Sequence, residues 1–233
     1  MDDMNAERFR YTQDYLREVF GGEDEVAATV RQRAEDAGLP PIAVTSDVGR
    51  FLTLLAQFSG ARTAIEVGTL GGYSALHLCR GLGSGSRVIT IERDPKAAET
   101  ARENLSYARL HDRVRLEVGP ALDVLPRLAE ELGPGSVGLV FLDADKTEYA
   151  AYWKHVRPLM AEGGLLVADN VLGTRSWWID EEALPSRVAV DAFNRAIAAD
   201  PDFDVAGVLI RQGMLLARRR PRHSSRAPDR LPD

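Results

Sequence analysis

The stretch AIEVGTLGGYSALHL, from Ala64 to Leu78, passes from an apolar run through a glycine-rich loop into residues spaced as on a helix. A strand, a glycine loop and a helix in this order form the first turn of a doubly wound α/β fold, where such folds bind a cofactor. The loop lacks the dinucleotide pattern, because Leu70 and Tyr73 stand two and five places after Gly68, where that pattern requires glycine. The stretch therefore predicts a cofactor site for a different ligand, and it disfavours a nicotinamide oxidoreductase.

Short apolar runs alternate with helical patterns from this stretch onward. The runs predict strands at residues 63–67, 87–92, 113–118, 137–143 and 164–169. Near-continuous apolar strands that alternate with helices indicate a parallel sheet covered on both faces. FDVAGVLI (203–210) and GMLLARR (213–219) are close enough in sequence for an antiparallel terminal pair. The predicted fold class is therefore α/β, with a doubly wound, seven-stranded, mostly parallel, Rossmann-like sheet.

Three further helices are predicted before the sheet, at residues 5–20, 24–37 and 47–59, each followed by glycine. Residues 1–43 are expected to form a helical N-terminal part of the same domain, which caps a site or contacts another subunit. Residues 44–218 form the main domain. Residues 219–233 combine arginine and proline without an apolar period, so this tail is predicted to be disordered.

The composition is that of a soluble globular chain, with 45% hydrophobic residues among 233, enough for one large domain. The net charge of −6 argues against general nucleic-acid affinity, although the tail from Arg218 carries six Arg against two Asp. The single cysteine, Cys79, allows no intramolecular disulfide and is expected in the core. The polar N-terminus is unlike a signal peptide and no apolar run could span a membrane, so a cytoplasmic location is expected.

Two acidic residues near the glycine loop indicate the chemistry of the ligand. Glu66 would repel a phosphate and suit a cation, whereas Glu92 ends the next strand, where a carboxylate accepts hydrogen bonds from both ribose hydroxyls. An adenosine compound with a ribose, a positive charge and no phosphate is S-adenosylmethionine, which the sequence therefore predicts as cofactor. In the alternative interpretation the glycines serve packing alone and Glu92 is merely exposed.

Two apolar runs farther along, FLDADKTEY (141–149) and LLVADNVLG (165–173), end in oxygen-bearing side chains. The carboxyl ends of parallel strands face the ligand crevice, so Asp143, Asp169 and Asn170 are expected to lie together. Carboxylate and amide oxygens suit Mg²⁺, with Ca²⁺ and Mn²⁺ as alternatives, and the absence of His and Cys from these runs disfavours zinc. The sequence thus predicts a divalent cation site.

Lys146 follows Asp143 by three residues and is a candidate general base. Near a divalent cation and partly removed from water, an ammonium group is disfavoured, so the amine could take a proton from a substrate hydroxyl. The alternative is structural: Asp145 caps the helix that contains Tyr149, and Lys146 and Glu148 are solvated. The two polar strand ends together favour a site.

With VTSDVGRFLTLL (44–55) and GPALDVL (119–125), these motifs make the chain resemble the cation-dependent class I O-methyltransferases, the caffeoyl-coenzyme A O-methyltransferase-like family, with catechol O-methyltransferase a more distant relative. The resemblance covers residues 44–218, and DADK followed by DN is its most specific part. It implies that Lys146 is the general base and that the metal ligands are Asp143, Asp169 and Asn170. The cofactor contacts that it implies are Thr45, Glu66, Gly68, Ser74, Glu92, Ala121 and Asp143.

The resemblance also implies methyl transfer to one hydroxyl of a small aromatic diol, a vicinal diphenol of catechol type, by a homodimeric enzyme. Gly173 and Thr174 replace the Trp and Asn usual in plant members, and Trp177 and Trp178 arrive later, so the acyl-coenzyme A substrate does not carry over. The two tryptophans would cover an aromatic substrate or a partner subunit. The alternatives are methylation of a hydroxylated tRNA base, which the acidic body disfavours, and a non-catalytic cofactor-binding module.

Overall fold

The predicted alternation of strands and helices is present in the computed structural model, which describes residues 5–173 and 184–221. The strands of these residues are β1 (Thr63–Val67), β2 (Arg87–Glu92), β3 (Val114–Val118), β4 (Val137–Leu142), β5 (Met160–Asp169), β6 (Phe203–Val208) and β7 (Met214–Arg219). They form one sheet in the order β3-β2-β1-β4-β5-β7-β6. β1 to β5 are parallel, and β7 runs antiparallel to both β5 and β6. The predicted doubly wound sheet is confirmed.

Helices cover both faces of the sheet. Those of the described residues are α1 (Ala6–Phe20), α2 (Glu25–Asp36), α3 (Ser46–Ser59), α4 (Tyr73–Gly81), α5 (Pro95–Tyr107), α6 (Ala121–Leu132), α7 (Tyr149–Leu159) and α8 (Pro185–Ala198). The first two begin where side chains cap them, since Asn5 Oδ1 accepts from Arg8 N and Asp24 Oδ1 accepts from Ala27 N. Polar residues that precede an apolar helical pattern therefore mark these starts to within a residue.

Alternate residues of each central strand pack on opposite faces of the sheet. Ile65 and Ile89 pack in the core formed with α6, α7 and α8, whereas Ala64 and Val88 pack in the core formed with α3 and α4. Because both faces are buried, the strands read in the sequence as continuous apolar runs. Cys79 lies in the second core, as expected.

β5 begins at Met160, before its predicted start at Gly164. Its register with β4 shifts between Val137 and Leu139, and Gly163 has a φ of +76°. A pair of glycines at the edge of an apolar run reads as a turn in the sequence. Here the pair lies inside an irregular part of the strand, where glycine tolerates the locally altered backbone.

The carboxyl ends of the parallel strands form one edge of the sheet. The chain proceeds outward from β1 to β2 and β3 and then crosses to β4 on the other side of β1, which creates a crevice at the end of β1. Since β7 is antiparallel, its first residue, Met214, pairs with Asp169 at the end of β5. The turn before β7 therefore lies at the same edge as the glycine loop.

The N-terminal helices lie against the main domain, α1 on α3 and α2 on α4 and α5. The side-chain amide of Asn104 on α5 donates to the backbone oxygens of Val30 on α2 (3.2 Å) and Gly71 in the glycine loop (2.9 Å), which attaches α2 to the loop. No helix within the two described ranges is long and apolar enough to cross a membrane. Arg219, the first residue of the predicted disordered tail, is instead the last residue of β7. Residues 222–233 of that tail, together with Trp177 and Trp178, lie outside the described residues.

Candidate active site

A cavity of about 790 Å³ opens at this edge of the sheet, a size typical of small-molecule sites. Its walls come from the glycine loop, the ends of β2, β4 and β5, the start of α6 and the segment 40–44 before α3. The predicted site residues that line it are Gly68, Ser74, Glu92, Ala121, Asp143, Lys146 and Asn170. Three predicted residues, Thr45, Glu66 and Asp169, do not line it.

Gly68 brings the end of β1 against Asp143. Its φ is +101°, and a Cβ atom at this position would lie 2.1 Å from the backbone oxygen of Asp143. That backbone cannot move aside easily, because the Asp143 amide donates to the Val67 oxygen in the sheet at 2.9 Å. Glycine is therefore required at residue 68 by both its conformation and its contact.

Glu92 holds the glycine loop in place. Its Oε2 accepts hydrogen bonds from the backbone amides of Thr69 (3.2 Å) and Leu70 (2.8 Å), and its Oε1 accepts from the amide of Asp94 (2.9 Å). Each carboxylate oxygen has two lone pairs, so the side chain retains acceptor capacity towards the cavity. Sequence analysis missed the contacts to the loop, and the predicted contact to a ribose stays a prediction.

We expect Glu92→Ala to weaken binding of S-adenosylhomocysteine by about 10- to 100-fold, because hydrogen bonds to a charged group are worth ~1.5–3 kcal/mol. Calorimetry with this ligand and with its 2′-deoxy analogue separates the two roles of Glu92. If Glu92 binds the ribose, removal of the 2′-hydroxyl costs affinity in the wild type and much less in the variant. An equal cost in both proteins would leave Glu92 with its loop contacts alone. The exposed Glu130→Ala is the control.

Glu66 is fully buried in β1, and its Oε2 accepts a hydrogen bond from Thr90 Oγ1 at 2.5 Å. Burial raises the pKa of Glu66 to about 8, so the carboxyl is mostly protonated at neutral pH. Within the described residues, Glu66 Oε1 and the Thr45 hydroxyl have no hydrogen-bond partner. Their assignment as cofactor contacts stays a prediction.

Lys146 is buried, with 7% of its surface exposed, in a short 3₁₀ turn that leads into α7. Its Nζ donates to Asp143 Oδ1 at 2.7 Å and to the Tyr149 hydroxyl at 2.8 Å. The alternative of a solvated lysine is therefore wrong. Asp145 caps this short turn, since its Oδ1 accepts from the amide of Thr147 at 3.0 Å, and not the helix that contains Tyr149, whose N-cap is Glu148.

The Tyr149 hydroxyl joins the ends of β4 and β5. It lies 2.9 Å from the backbone oxygen of Leu142 and 3.0 Å from that of Asp169, and the residue is fully buried. Burial raises its pKa well above the usual range, so the hydroxyl keeps its proton for these carbonyls while it accepts from Lys146. Sequence analysis missed this role, although the three-residue spacing from Lys146 placed the two side chains on neighbouring positions.

Asp169 is fully buried at the end of β5, and one of its oxygens lacks a hydrogen bond. Oδ1 accepts from the Asn170 amide at 2.9 Å, while Oδ2 has no such partner in the described ranges and lies 3.8 Å from Arg211 Nη1. Burial and the nearby Asp143 raise the pKa of Asp169. The side-chain nitrogen of Asn170 donates to Gln212 Oε1 at 3.0 Å, so its amide oxygen is left for another partner.

These contacts fit a bound cation. Asp143 and Asp169 lie at adjacent strand ends. Of these two acids, Asp143 has a short ion pair, with Lys146, whereas the nearest cation to Asp169 is Arg211 at 3.8 Å, so the negative charge of the two acids is incompletely balanced. No group of three or more acidic, histidine or cysteine side chains converges among residues 5–173 and 184–221. The ligand set would therefore consist of two acids and the amide of Asn170, completed by water or substrate. Cation binding itself stays a prediction.

Comparisons with known proteins show what the chain is similar to. A family model described as O-methyltransferase matches residues 18–220, a range that includes every predicted site residue. A catechol O-methyltransferase of Niastella koreensis is 36% identical over 219 residues, which are 92% of this chain and 99% of the relative. A catechol O-methyltransferase of Mycobacterium tuberculosis is 45% identical over 158 residues, which are 68% of this chain and 70% of the relative.

A solved structure shares the fold. The O-methyltransferase from Bacillus cereus, in complex with SAH (S-adenosylhomocysteine), superimposes with a TM-score of 0.81 at 33% identity. The superposition covers 90% of this chain and 97% of that chain.

Proposed function

This chain belongs to the S-adenosylmethionine-dependent O-methyltransferases, and we propose that it methylates one hydroxyl of a small vicinal aromatic diol with the help of a divalent cation. The observation that carries the proposal is the buried Lys146, whose amine is hydrogen-bonded to Asp143 at the edge of the cavity. Close by, Asp169 keeps a carboxylate oxygen without a hydrogen bond in the described part of the chain. An amine and incompletely balanced acids at one edge suit the binding and deprotonation of a diol.

The cofactor would lie in the half of the cavity nearest β1 and β2. Gly68 and Ser74 would contact it from the glycine loop and α4, Glu92 would accept from the ribose, and Ala121 would contact it from the start of α6. When bound, S-adenosylmethionine supplies a methyl group on a positively charged sulfur. A nearby positive charge lowers the pKa of a buried carboxyl such as Glu66, so ionisation of Glu66 and binding of the positively charged cofactor would favour each other.

The divalent cation would be held by Asp143, Asp169 and Asn170, with Mg²⁺ first and Ca²⁺ or Mn²⁺ as alternatives. When bound, it would orient two vicinal oxygens and favour loss of the proton from one of them. Asp169 is suited to this role because its Oδ2 is buried without a hydrogen-bond partner among the described residues. Asn170 is suited because Gln212 holds its amide nitrogen and leaves its oxygen available.

Lys146 is the group of this chain that would take the proton. Its Nζ is held between Asp143 Oδ1 and the Tyr149 hydroxyl, so its position is determined by two hydrogen bonds. Tyr149 directs its own proton to the carbonyls at the ends of β4 and β5, and therefore offers Lys146 a lone pair. In its neutral form the amine keeps a lone pair beside these two donated hydrogen bonds. This lone pair would take the proton of the substrate hydroxyl, which leaves an ammonium beside Asp143 and a deprotonated substrate oxygen.

The choice of a small diol is supported by two observations. Two relatives that cover 92% and 68% of this chain are named catechol O-methyltransferase. The cavity of about 790 Å³ has to hold both cofactor and substrate, which favours a single ring over a coenzyme A ester or a folded RNA. Three exposed aromatic residues of α1 and α3, Tyr11, Phe20 and Phe58, are candidate contacts for the predicted homodimer. The dimer and the cytoplasmic location stay predictions.

The function is tested by a turnover screen with labelled S-adenosylmethionine and Mg²⁺. We expect labelled methyl in catechol (1,2-dihydroxybenzene) and little in resorcinol (1,3-dihydroxybenzene) or phenol, because only vicinal oxygens can share one cation. Equal labelling of resorcinol and catechol would reject the vicinal geometry. No labelling of any aromatic diol would reject the proposed substrate class.

A further inference from the structure

Arg211 lies in the turn between β6 and β7, and its side chain lines the cavity with 22% of its surface exposed. Its Nη1 is 3.8 Å from Asp169 Oδ2, which is too long for a hydrogen bond. Within residues 5–173 and 184–221 the guanidinium has this one ion pair and donates no hydrogen bond. A guanidinium has five N–H donors, and none of those of Arg211 has an acceptor among the described residues, so they face the open cavity. Among the described residues, this side chain therefore keeps donors available for a further acceptor in the cavity.

The backbone holds Arg211 at this place. Its φ is +49°, in the left-handed region that arginine adopts only with strain. The neighbouring Gln212 attaches the turn to the end of β5, since its Oε1 accepts from the Asn170 side chain (3.0 Å) and its backbone oxygen accepts from the Leu172 amide (2.8 Å). Strain at a residue that faces a ligand cavity points to a role for its side chain.

The strand order places Arg211 on the substrate side of the cavity. Glu92 ends β2, Asp143 follows β4, and Arg211 precedes β7, so Arg211 lies on the opposite side of Asp143 from Glu92, the residue that would bind the ribose of the cofactor. From β4 to β7 there are two strand spacings, about 10 Å. One aromatic ring together with an extended arginine side chain bridges such a distance. A ring whose hydroxyls lie near Lys146 and Asp169 would therefore present a substituent to Arg211.

Three acids that line the cavity together with Arg211 already have other partners. Asp143 accepts from Lys146, Glu148 accepts from the Tyr152 hydroxyl, and Asp145 caps the turn before α7. Asp169 is the one close carboxylate of the described residues, and it stands too far away to accept a hydrogen bond. The planar guanidinium with paired donors fits a planar carboxylate through two parallel hydrogen bonds.

Building on the proposed function, we propose that Arg211 forms a subsite for a carboxylate on the aromatic ring of the substrate, so that the enzyme prefers acidic diols. The substrate class is then a dihydroxybenzoate or a related dihydroxyphenyl carboxylic acid. Arg211 selects the substrate and leaves the proton transfer to Lys146.

The test compares three diols that differ in one substituent: 3,4-dihydroxybenzoate, catechol and 3,4-dihydroxybenzylamine. The variant is Arg211→Asn, because asparagine tolerates a positive φ and removes the charge without straining the turn. We expect the ratio of kcat/KM for the benzoate to that for catechol to fall by about 10- to 100-fold, the worth of hydrogen bonds to a charged group. The ratio for the benzylamine is expected to rise, and Arg211→Lys should fall between wild type and Arg211→Asn. Arg127→Asn, an exposed arginine on α6, is the matched control.

A binding measurement decides the same question without turnover. Calorimetry with protein saturated with S-adenosylhomocysteine should show weaker binding of 3,4-dihydroxybenzoate to Arg211→Asn than to wild type. An unchanged benzoate-to-catechol ratio, or wild-type affinity of the variant for the benzoate, would overturn the subsite and assign Arg211 to the support of Asp169. Failure of the wild type to methylate any of the three diols would reject the proposed function instead, and the binding result would still decide the role of Arg211.

Discussion

Replacement of Lys146 by alanine is expected to lower kcat for catechol methylation by about 10²–10⁴-fold, the usual contribution of a general base. Lys146→Arg is expected to fail about as badly, because arginine keeps the positive charge and cannot accept a proton near neutral pH. Both variants should regain part of their rate as pH rises, since the substrate hydroxyl then ionises without help. Cofactor affinity, measured by calorimetry, should change much less than the rate.

Two controls separate proton transfer from structural damage. Lys154→Ala removes an exposed lysine from α7 and should leave the rate unchanged. Because Lys146 is buried against Asp143 and Tyr149, the melting temperature of each Lys146 variant has to be compared with the assay temperature. Near-normal turnover by a folded Lys146→Arg protein would exclude proton abstraction by this residue.

Replacement of Asp169 by asparagine is expected to remove the response of the protein to a divalent cation. Loss of a residue that hydrogen-bonds to a metal ligand already lowers metal affinity or activity by about 10–100-fold. Loss of the ligand itself should therefore lower Mg²⁺-supported turnover by about 100-fold or more. In a thermal melt, Mg²⁺ should raise the melting temperature of the wild type and leave that of the variant unchanged, since only a bound ligand stabilises the folded state. The exposed Asp112→Asn is the matched control.

Without a divalent cation, Asp169→Asn is also expected to change the thermal stability of the protein. The pKa of Asp169 is raised above its unfolded value by burial and by Asp143, so its carboxyl favours the folded state at low pH and loses that contribution as pH rises through the folded pKa. The neutral amide that Asp169→Asn introduces carries no such penalty at neutral pH, and the variant is therefore expected to melt at or above the wild-type temperature. A chelator-treated wild type that methylates catechol at full rate would contradict the cation site.

Local patterns in the sequence were sufficient for the main elements. β1 and its glycine loop, the parallel strands and the antiparallel terminal pair follow from apolar runs, glycine positions and chain spacing, which depend on neighbouring residues alone. β5 starts earlier than its apolar run indicates, because a glycine pair has the same sequence signature in a turn and in an irregular strand. The acids at strand ends could be foreseen as one site because parallel strands share an edge.

The sequence by itself thus determined the α/β class, the strand that precedes Gly68 and the strand ends at which Asp143 and Asp169 lie. Only the tertiary structure decided which distant groups meet there: Glu92 on the amides of the glycine loop, Tyr149 on the carbonyls of two strands, and Arg211 beside Asp169. These partners depend on the order of strands in the sheet, above all on the insertion of β7 between β5 and β6. Strand order results from the packing of whole faces, and a hydrogen bond between residues 22 or 42 positions apart leaves no periodic trace in the chain.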